Sequence, residues 1–276
     1  MKQKPELLYL DLMKKTLSFT LWPEPPMPII IFNSGRPAVI RFVVSVVSKV
    51  LDLIKLQIVK KQDFLESRRI VGGIWPRYAD TMIGLKRLDN LQYCIETVLS
   101  EKIKGDFIET GVWRGGACIF MRAVLAAYAI EDRKIFVADS FEGLPKPDAD
   151  KYPADKSDKN YINTYLAVSK EDVENNFRKY GLLDNQVVFL KGWFKDTLPQ
   201  APIEKLSILR LDGDMYGSTM ESLENLYPKL SSGGFCIIDD YALPGCESAV
   251  NDFRAKYMIN AEMKEIDWTG RYWKKE

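Results

Sequence analysis

Histidine is absent from the 276-residue chain. This excludes Ser-His-Asp and Cys-His catalysis and histidine-built zinc sites, so any general base is Asp, Glu, Lys, Tyr or Cys. Cysteine is scarce. Cys94, Cys118, Cys236 and Cys246 are too few and too scattered for a disulfide framework or a zinc site, and Cys236 and Cys246 do not form a C-x-x-C pair. They read as buried thiols in a reducing cytoplasm. An excess of one charge is also missing. With 39 Lys/Arg against 38 Asp/Glu, the net charge of +1 argues against nucleic-acid binding driven by bulk charge. No uncharged apolar run reaches the ~18 residues of a spanning helix. Lys14 and Lys15 precede LSFTLW, which breaks at Pro23 without the small-residue cleavage pattern of a secretory signal. A cytoplasmic protein is the expectation.

What is present is a globular composition, 46% hydrophobic and 28% charged. The length suits one α/β domain plus an extension. Residues 1–80 carry 13 Lys/Arg against 7 Asp/Glu, so a mildly basic extension precedes a mildly acidic body. Residues 1–36 are mixed, with Pro23–Pro28 and Asn33-Ser34-Gly35 reading as turns and linker. Residues 38–61 read as a helix: Arg41, Ser45, Ser48, Lys49, Asp52 and Lys55 recur every three or four positions among Val, Ile, Leu and Phe. Its wide apolar face is expected to pack on the main domain or form a homo-oligomer contact, with peripheral membrane contact as the less favoured alternative.

From residue 76 the pattern sharpens. Leu85, Leu88, Leu91, Ile95, Val98 and Leu99 share one helical face ahead of Gly105. Strands are expected at 106–110, 134–140, 186–191, 206–211 and 234–239, and helices at 115–130, 170–180, 219–230 and 249–257. Residues 261–268 and 271–274 form a closing hairpin. Strands alternating with helices predict a doubly wound, mostly parallel seven-stranded sheet with an antiparallel C-terminal hairpin. In such sheets ligands bind beyond the carboxyl ends of the strands.

The strand ends are therefore where chemistry is expected. Glu109-Thr110-Gly111 opens an E-x-G-x-x-x-G-G loop, not G-x-G-x-x-G. An acid there would repel a diphosphate and suit a cationic ligand such as the amino group of S-adenosylmethionine. A glycine-rich structural turn reads about as well. Asp139-Ser140 ends the second strand, where a carboxylate can accept both ribose hydroxyl protons or cap a turn. Gly192-Trp193 ends the third, placing an aromatic either beside an adenine or in the core. The fourth and fifth end in Asp212-Gly213-Asp214 and Asp239-Asp240. Four carboxylates on one sheet edge call for a cation or protons, and a hard divalent ion such as Mg²⁺ is the natural partner. Three would ligate it and the fourth, two residues after Asp212, would serve as base. Helix caps and solvated turns are the bland alternative. The polar, turn-rich segment 143–164 reads as a lid over such a site or as a disordered excursion.

These residues resemble a known family. The blocks ADTMIGLKRLDNLQ (79–92), FIETGVWRGGACIFMRA (107–123), DSFEGLP (139–145), LRLDGDMYGST (209–219), IIDDY (237–241), PGC–SAV–DF (244–253) and IDWTGRYWKK (266–275) are similar, in order, to those of the macrocin O-methyltransferases. The resemblance spans about 76–276 and leaves residues 1–75 as a mainly helical extension without a counterpart. It implies a Rossmann-like class I methyltransferase that uses S-adenosylmethionine and Mg²⁺ to methylate a hydroxyl of a small molecule, often on a natural-product sugar. It implies Asp212, Asp239 and Asp240 as metal ligands and Asp214 as base. It also implies Glu109 and Gly111 around the methionine part of the cofactor, and Asp139 at the ribose with Ser140 and Phe141 beside it. Thr81 and Met82 match the segment that closes over the cofactor. Some macrolide-sugar members use a histidine near the reacting hydroxyl. This chain has none, which shifts weight to Asp214. Two competing readings are a metal-dependent glycosyltransferase, since Asp-x-Asp also binds Mg²⁺ with a nucleotide-sugar, and a non-catalytic methyltransferase-fold binding module.

Overall fold

The computed structural model describes residues 4–23, 25–29, 37–60 and 66–276. Within them the elements run α1 (Pro5–Leu17), β1 (Met27–Pro28), α2 (Ala38–Leu53), β2 (Val59–Lys60), α3 (Glu66–Ile70), α4 (Leu85–Ser100), β3 (Asp106–Thr110), α5 (Gly116–Ala127) and β4 (Ile135–Asp139). They continue α6 (Lys170–Lys179), β5 (Val187–Lys191), α7 (Phe194–Thr197), β6 (Leu206–Leu211), α8 (Tyr216–Leu226), β7 (Leu230–Ile238), α9 (Pro244–Lys256), β8 (Lys264–Glu265) and β9 (Arg271–Lys274).

The main sheet has seven strands in the order β5-β4-β3-β6-β7-β9-β8. The first five are parallel, while β9 runs antiparallel to β7 and pairs with β8 as a hairpin. The strands are short apolar runs because both faces are covered. Phe107, Val137 and Ile237 face a core shared with α1, α4, α5 and α6, and Ile108, Ala138 and Ile238 face one shared with α8 and α9.

Several boundaries differ from the sequence expectation. Helix α8 spans Tyr216–Leu226 rather than 219–230, and a 3₁₀ turn leads into β7, which starts at Leu230 rather than 234. Helix α9 starts at Pro244 rather than 249, because proline's missing N–H costs nothing in a first turn. The helix expected over 38–61 ends at Leu53. Lys55 adopts φ +58, and the N–H groups of Lys55 and Leu56 donate to the carbonyls of Asp52 and Leu51 at 3.1 and 3.0 Å. That pairing closes the last turn with a left-handed residue. Residue 61 and Asn33-Ser34-Gly35 lie outside the described residues.

Helix α1 lies in the span read as mixed. Leu10, Met13 and Leu17 repeat at three and four residues and are buried in the core shared with α5. Burial of such side chains is worth roughly 1.5–3 kcal/mol each. Helix α2 contrasts with it: none of its residues is buried, and Val39, Phe42 and Leu53 are 75%, 71% and 84% exposed. Among the described residues no helix is long and apolar enough to cross a membrane.

Candidate active site

The ends of β3, β4, β5, β6 and β7 open into a cavity of about 740 Å³. Strands β3 and β6 are neighbours although β4 and β5 separate them in sequence, so the chain changes its direction of travel across the sheet between them. Open α/β sheets bind ligands at such a switch point. Register brings Glu109 opposite Arg210 and Leu211 opposite Ile238. The next residues, Asp212 and Asp239, therefore emerge side by side. The N–H of Asp212 donates to Thr110 at 2.9 Å and that of Asp239 to Leu211 at 2.8 Å. Gly111, at φ +86, lets the first turn pass the second so closely that a Cβ would collide with the Asp212 carbonyl oxygen.

One carboxylate oxygen each from Asp212, Asp239 and Asp240 lies within 4.8 Å of the others. The N–H of Asp214 donates to Asp240 Oδ2 at 3.1 Å, which folds Asp214 over the cluster at φ +56. A non-glycine residue in that region is held there by its surroundings. Burial, reinforced by Asp212, pushes the Asp214 carboxyl up to about 7. Burial reinforced by Asp239 raises Asp212, and burial reinforced by Asp214 raises Asp240 well above the carboxylate range. Negative charge is gathered here beyond what the protein neutralises.

Two arginines neutralise part of it. Arg210 donates to Asp239 Oδ1, to Glu109 Oε1 and, at 2.8 Å, to Asp212 Oδ2. Arg87 donates to Asp239 Oδ2 and, at 3.0 Å, to Asp267 Oδ2. Their side chains are 1% and 6% exposed. Although burial works to discharge both guanidinium groups, Asp239 above all holds them protonated, with pKa values above the ordinary one. Each oxygen of Asp239 thus carries one guanidinium and keeps a second lone pair. Converging carboxylates, an acid excess and no thiol or imidazole ligand fit a hard divalent cation such as Mg²⁺ and not zinc.

The opposite half of the cavity is built differently. Asp139 Oδ2 accepts the N–H of Val112 and Oδ1 that of Phe141, both at 2.7 Å. Burial raises Asp139, and the Val112 N–H opposes the rise. Glu109 is 2% exposed, and its Oε2 accepts the Cys118 thiol at 2.9 Å. Burial pushes Glu109 up to about 7 against the pull of Arg210. Both its oxygens are thus engaged within the protein, although it lines the cavity. Thr81, Met82, Gly111, Ser140, Gly192 and Trp193 line it too.

The turns after β3, β4 and β5 and the acid cluster meet in this one cavity, and the family model for macrocin-O-methyltransferase (TylF) matches residues 6–275. The chain belongs to that family. It is an S-adenosylmethionine-dependent O-methyltransferase with the class I fold. It is 48% identical over 268 residues to 8-demethyl-8-(2,3-dimethoxy-α-L-rhamnosyl)-tetracenomycin-C 4′-O-methyltransferase of Streptomyces olivaceus, covering 97% of this chain and 92% of that one. It is 52% identical over 217 residues to mycinamicin III 3″-O-methyltransferase of Micromonospora griseorubida, covering 77% and 85%. The solved structure of the O-methyltransferase NovP superimposes with a TM-score of 0.83 at 45% identity, covering 98% and 99%. The family match extends through α1, well ahead of the sequence blocks that carry the resemblance. Membership sets aside the glycosyltransferase and binding-module readings.

Within this macrocin-type fold, every site residue expected from sequence lines the cavity except Phe141. Phe141 is 5% exposed, and its ring packs 6.1 Å from that of Phe189, so only its backbone N–H serves the site. Sequence reasoning missed Arg87, Arg210 and Asp267. A signal existed for the arginines. Arg210 is a lone charge inside the apolar strand LSILRL, and Arg87 shares the helical spacing of Leu91, Cys94 and Val98 on the buried face of α4. A charge at a buried position demands partners.

Proposed function

We propose that the protein methylates a hydroxyl on the sugar of a small natural product. Asp212, Asp239 and Asp240 hold a Mg²⁺ ion and Asp214 is the general base. The observation that carries this reading is the convergence of three carboxylates, with Asp214 folded over them, in the cavity that also holds the Glu109–Gly111 turn and Asp139. The relative named above for a rhamnosyl tetracenomycin supports a sugar acceptor.

Mg²⁺ in such a site supplies Lewis acidity that makes an acceptor hydroxyl easier to deprotonate. The chain's own groups do the rest. Asp139 and the Gly192-Trp193 turn hold the nucleoside, and the turn at Glu109 and Gly111 lies along the methionine part. Asp214 accepts the hydroxyl proton as the oxygen attacks the methyl carbon and the carbon–sulfur bond breaks. The two facing walls hold oxygen, carbon and sulfur in line, and segment 143–164 forms the wall that shields them from water.

The test is methyl transfer from radiolabelled S-adenosylmethionine to a panel of deoxysugar glycosides bearing free vicinal hydroxyls, rhamnosides first, with and without EDTA. The expected result is transfer to a glycoside that EDTA abolishes and Mg²⁺ restores. Undiminished transfer in chelator would remove the metal from the reaction.

A further inference from the structure

Asp155 lies in the wall segment, 57 residues ahead of Asp212, yet it is 3% exposed. Its Oδ1 accepts the N–H of Tyr216 at 2.7 Å and its Oδ2 that of Gly217 at 2.9 Å. These are the first residues of α8, whose own N-cap residue, Met215, supplies no side-chain acceptor. A carboxylate from a distant loop therefore does what a local Ser or Asp normally does at a helix start.

The neighbourhood is shaped around this contact. The Tyr152 ring lies 5.7 Å from that of Tyr216, and its hydroxyl donates to Glu221 at 3.3 Å. A Cβ on Gly217 would sit 2.6 Å from the Tyr152 ring, so the loop seats only against glycine. A Cβ at Gly245, at the start of α9, would sit 3.1 Å from Asp155 Oδ1.

The turn fixed in this way is Asp212-Gly213-Asp214-Met215. It enters α8 directly, and its Asp214 N–H holds Asp240 Oδ2. We infer that Asp155 is a positioning residue for the metal-binding turn: by capping α8 it fixes Asp214 and, through the Asp214 N–H, the carboxylate of Asp240. The inference rests on the reading of Asp212, Asp239 and Asp240 as a cation site. Groups that support metal ligands from behind typically change affinity 10- to 100-fold when removed.

The experiment titrates the apo protein with Mn²⁺ by electron paramagnetic resonance, measures S-adenosylhomocysteine affinity by calorimetry, and follows hydrogen exchange at the Tyr216 and Gly217 amides. Asp155→Ala is expected to weaken Mn²⁺ binding about 10-fold or more and to speed both amides by at least about 10-fold, leaving S-adenosylhomocysteine affinity within about two-fold. Asp155→Asn keeps one of the two acceptor oxygens and turns an NH2 donor toward the other amide, so its Mn²⁺ affinity is expected to fall between those of wild type and Asp155→Ala. Gly217→Ala drives a Cβ into the Tyr152 ring and is expected to reproduce the alanine phenotype, which keeps the test alive if Asp155→Ala fails to fold. Unchanged Mn²⁺ affinity in folded Asp155→Ala overturns the inference. So does weakened Mn²⁺ binding in Asp155→Ala with wild-type exchange at the Tyr216 and Gly217 amides, because the effect would then be charge and not position. Wild-type protein that binds no Mn²⁺ contradicts the cation-site reading itself.

Discussion

On the β3–β5 side of the cavity, Asp139 spends its oxygens on the N–H groups of Val112 and Phe141. Among the described residues it forms no ion pair. On the β6–β7 side, Asp239 meets two guanidinium groups and Asp212 meets one, and acids still outnumber bases. Both sides begin from the same material, an acid at the end of a parallel strand. The difference lies in neighbours. A single carboxylate satisfied by backbone donors can present spare lone pairs to hydroxyls of a neutral ribose. A cluster of carboxylates that two arginines only partly neutralise suits a further cation, as proposed above. In the reading proposed above, the donor's nucleoside and the acceptor's metal meet at one switch point on different carboxylates, with Arg210 bridging Glu109 to Asp212 and Asp239.

The largest effect that sharpens this contrast is expected at Arg210. Arg210→Met leaves Glu109, Asp212 and Asp239 without their shared counter-charge, and chemical denaturation should show a loss of about 3–5 kcal/mol. A loss below about 1 kcal/mol would mean that the arginine does not neutralise the cluster. Next is Asp214→Asn. Turnover should fall about 100-fold or more while S-adenosylhomocysteine affinity stays nearly intact, as rate and calorimetric measurements together would show. Wild-type turnover would remove Asp214 from the chemistry. Asp139→Ala should weaken S-adenosylhomocysteine about 10-fold by calorimetry and leave Mn²⁺ affinity unchanged. Equal damage to both ligands would break the division of the cavity into two halves. The smallest effect on folding is expected at α2. Its apolar face is exposed, and of the roles expected for it we propose a contact between subunits, so Phe42→Glu should lower the sedimentation coefficient while folding stability stays within about 0.5 kcal/mol. A wild-type chain that sediments as a monomer would remove that contact.

The two halves were also unequally legible in sequence. The parallel strands were readable because each is a short apolar run closed by glycine or an acid, and the chemistry-bearing residues sit where those runs stop. The four acids of the metal side announced themselves because like charges on adjacent strand ends require an explanation. What neutralises them was hidden. The pairing of Arg87 with Asp239 joins residues 152 positions apart, and that of Arg210 with Glu109 joins residues 101 apart, distances at which spacing carries no signal. Asp155 is hidden for the same reason: the polar, turn-rich composition of 143–164 suggests a lid, and nothing in it marks the acid that caps α8. Helix α1 went unread because its buried stripe is only Leu10, Met13 and Leu17 among charged neighbours. Helix α2 shows the converse: its apolar pattern gave the element, but nothing local said where it would stop, and a left-handed Lys55 ended it early.

In the reading proposed above, the β6–β7 acids bind a divalent ion facing the methyl donor. The most direct test is anomalous diffraction from crystals grown with Mn²⁺ and S-adenosylhomocysteine. One strong peak coordinated by Asp212, Asp239 and Asp240 is expected, with the homocysteine sulfur directed toward it from the turn at Glu109 and Gly111. Bound S-adenosylhomocysteine with no peak between those carboxylates, or with Mn²⁺ held elsewhere in the molecule, would contradict it.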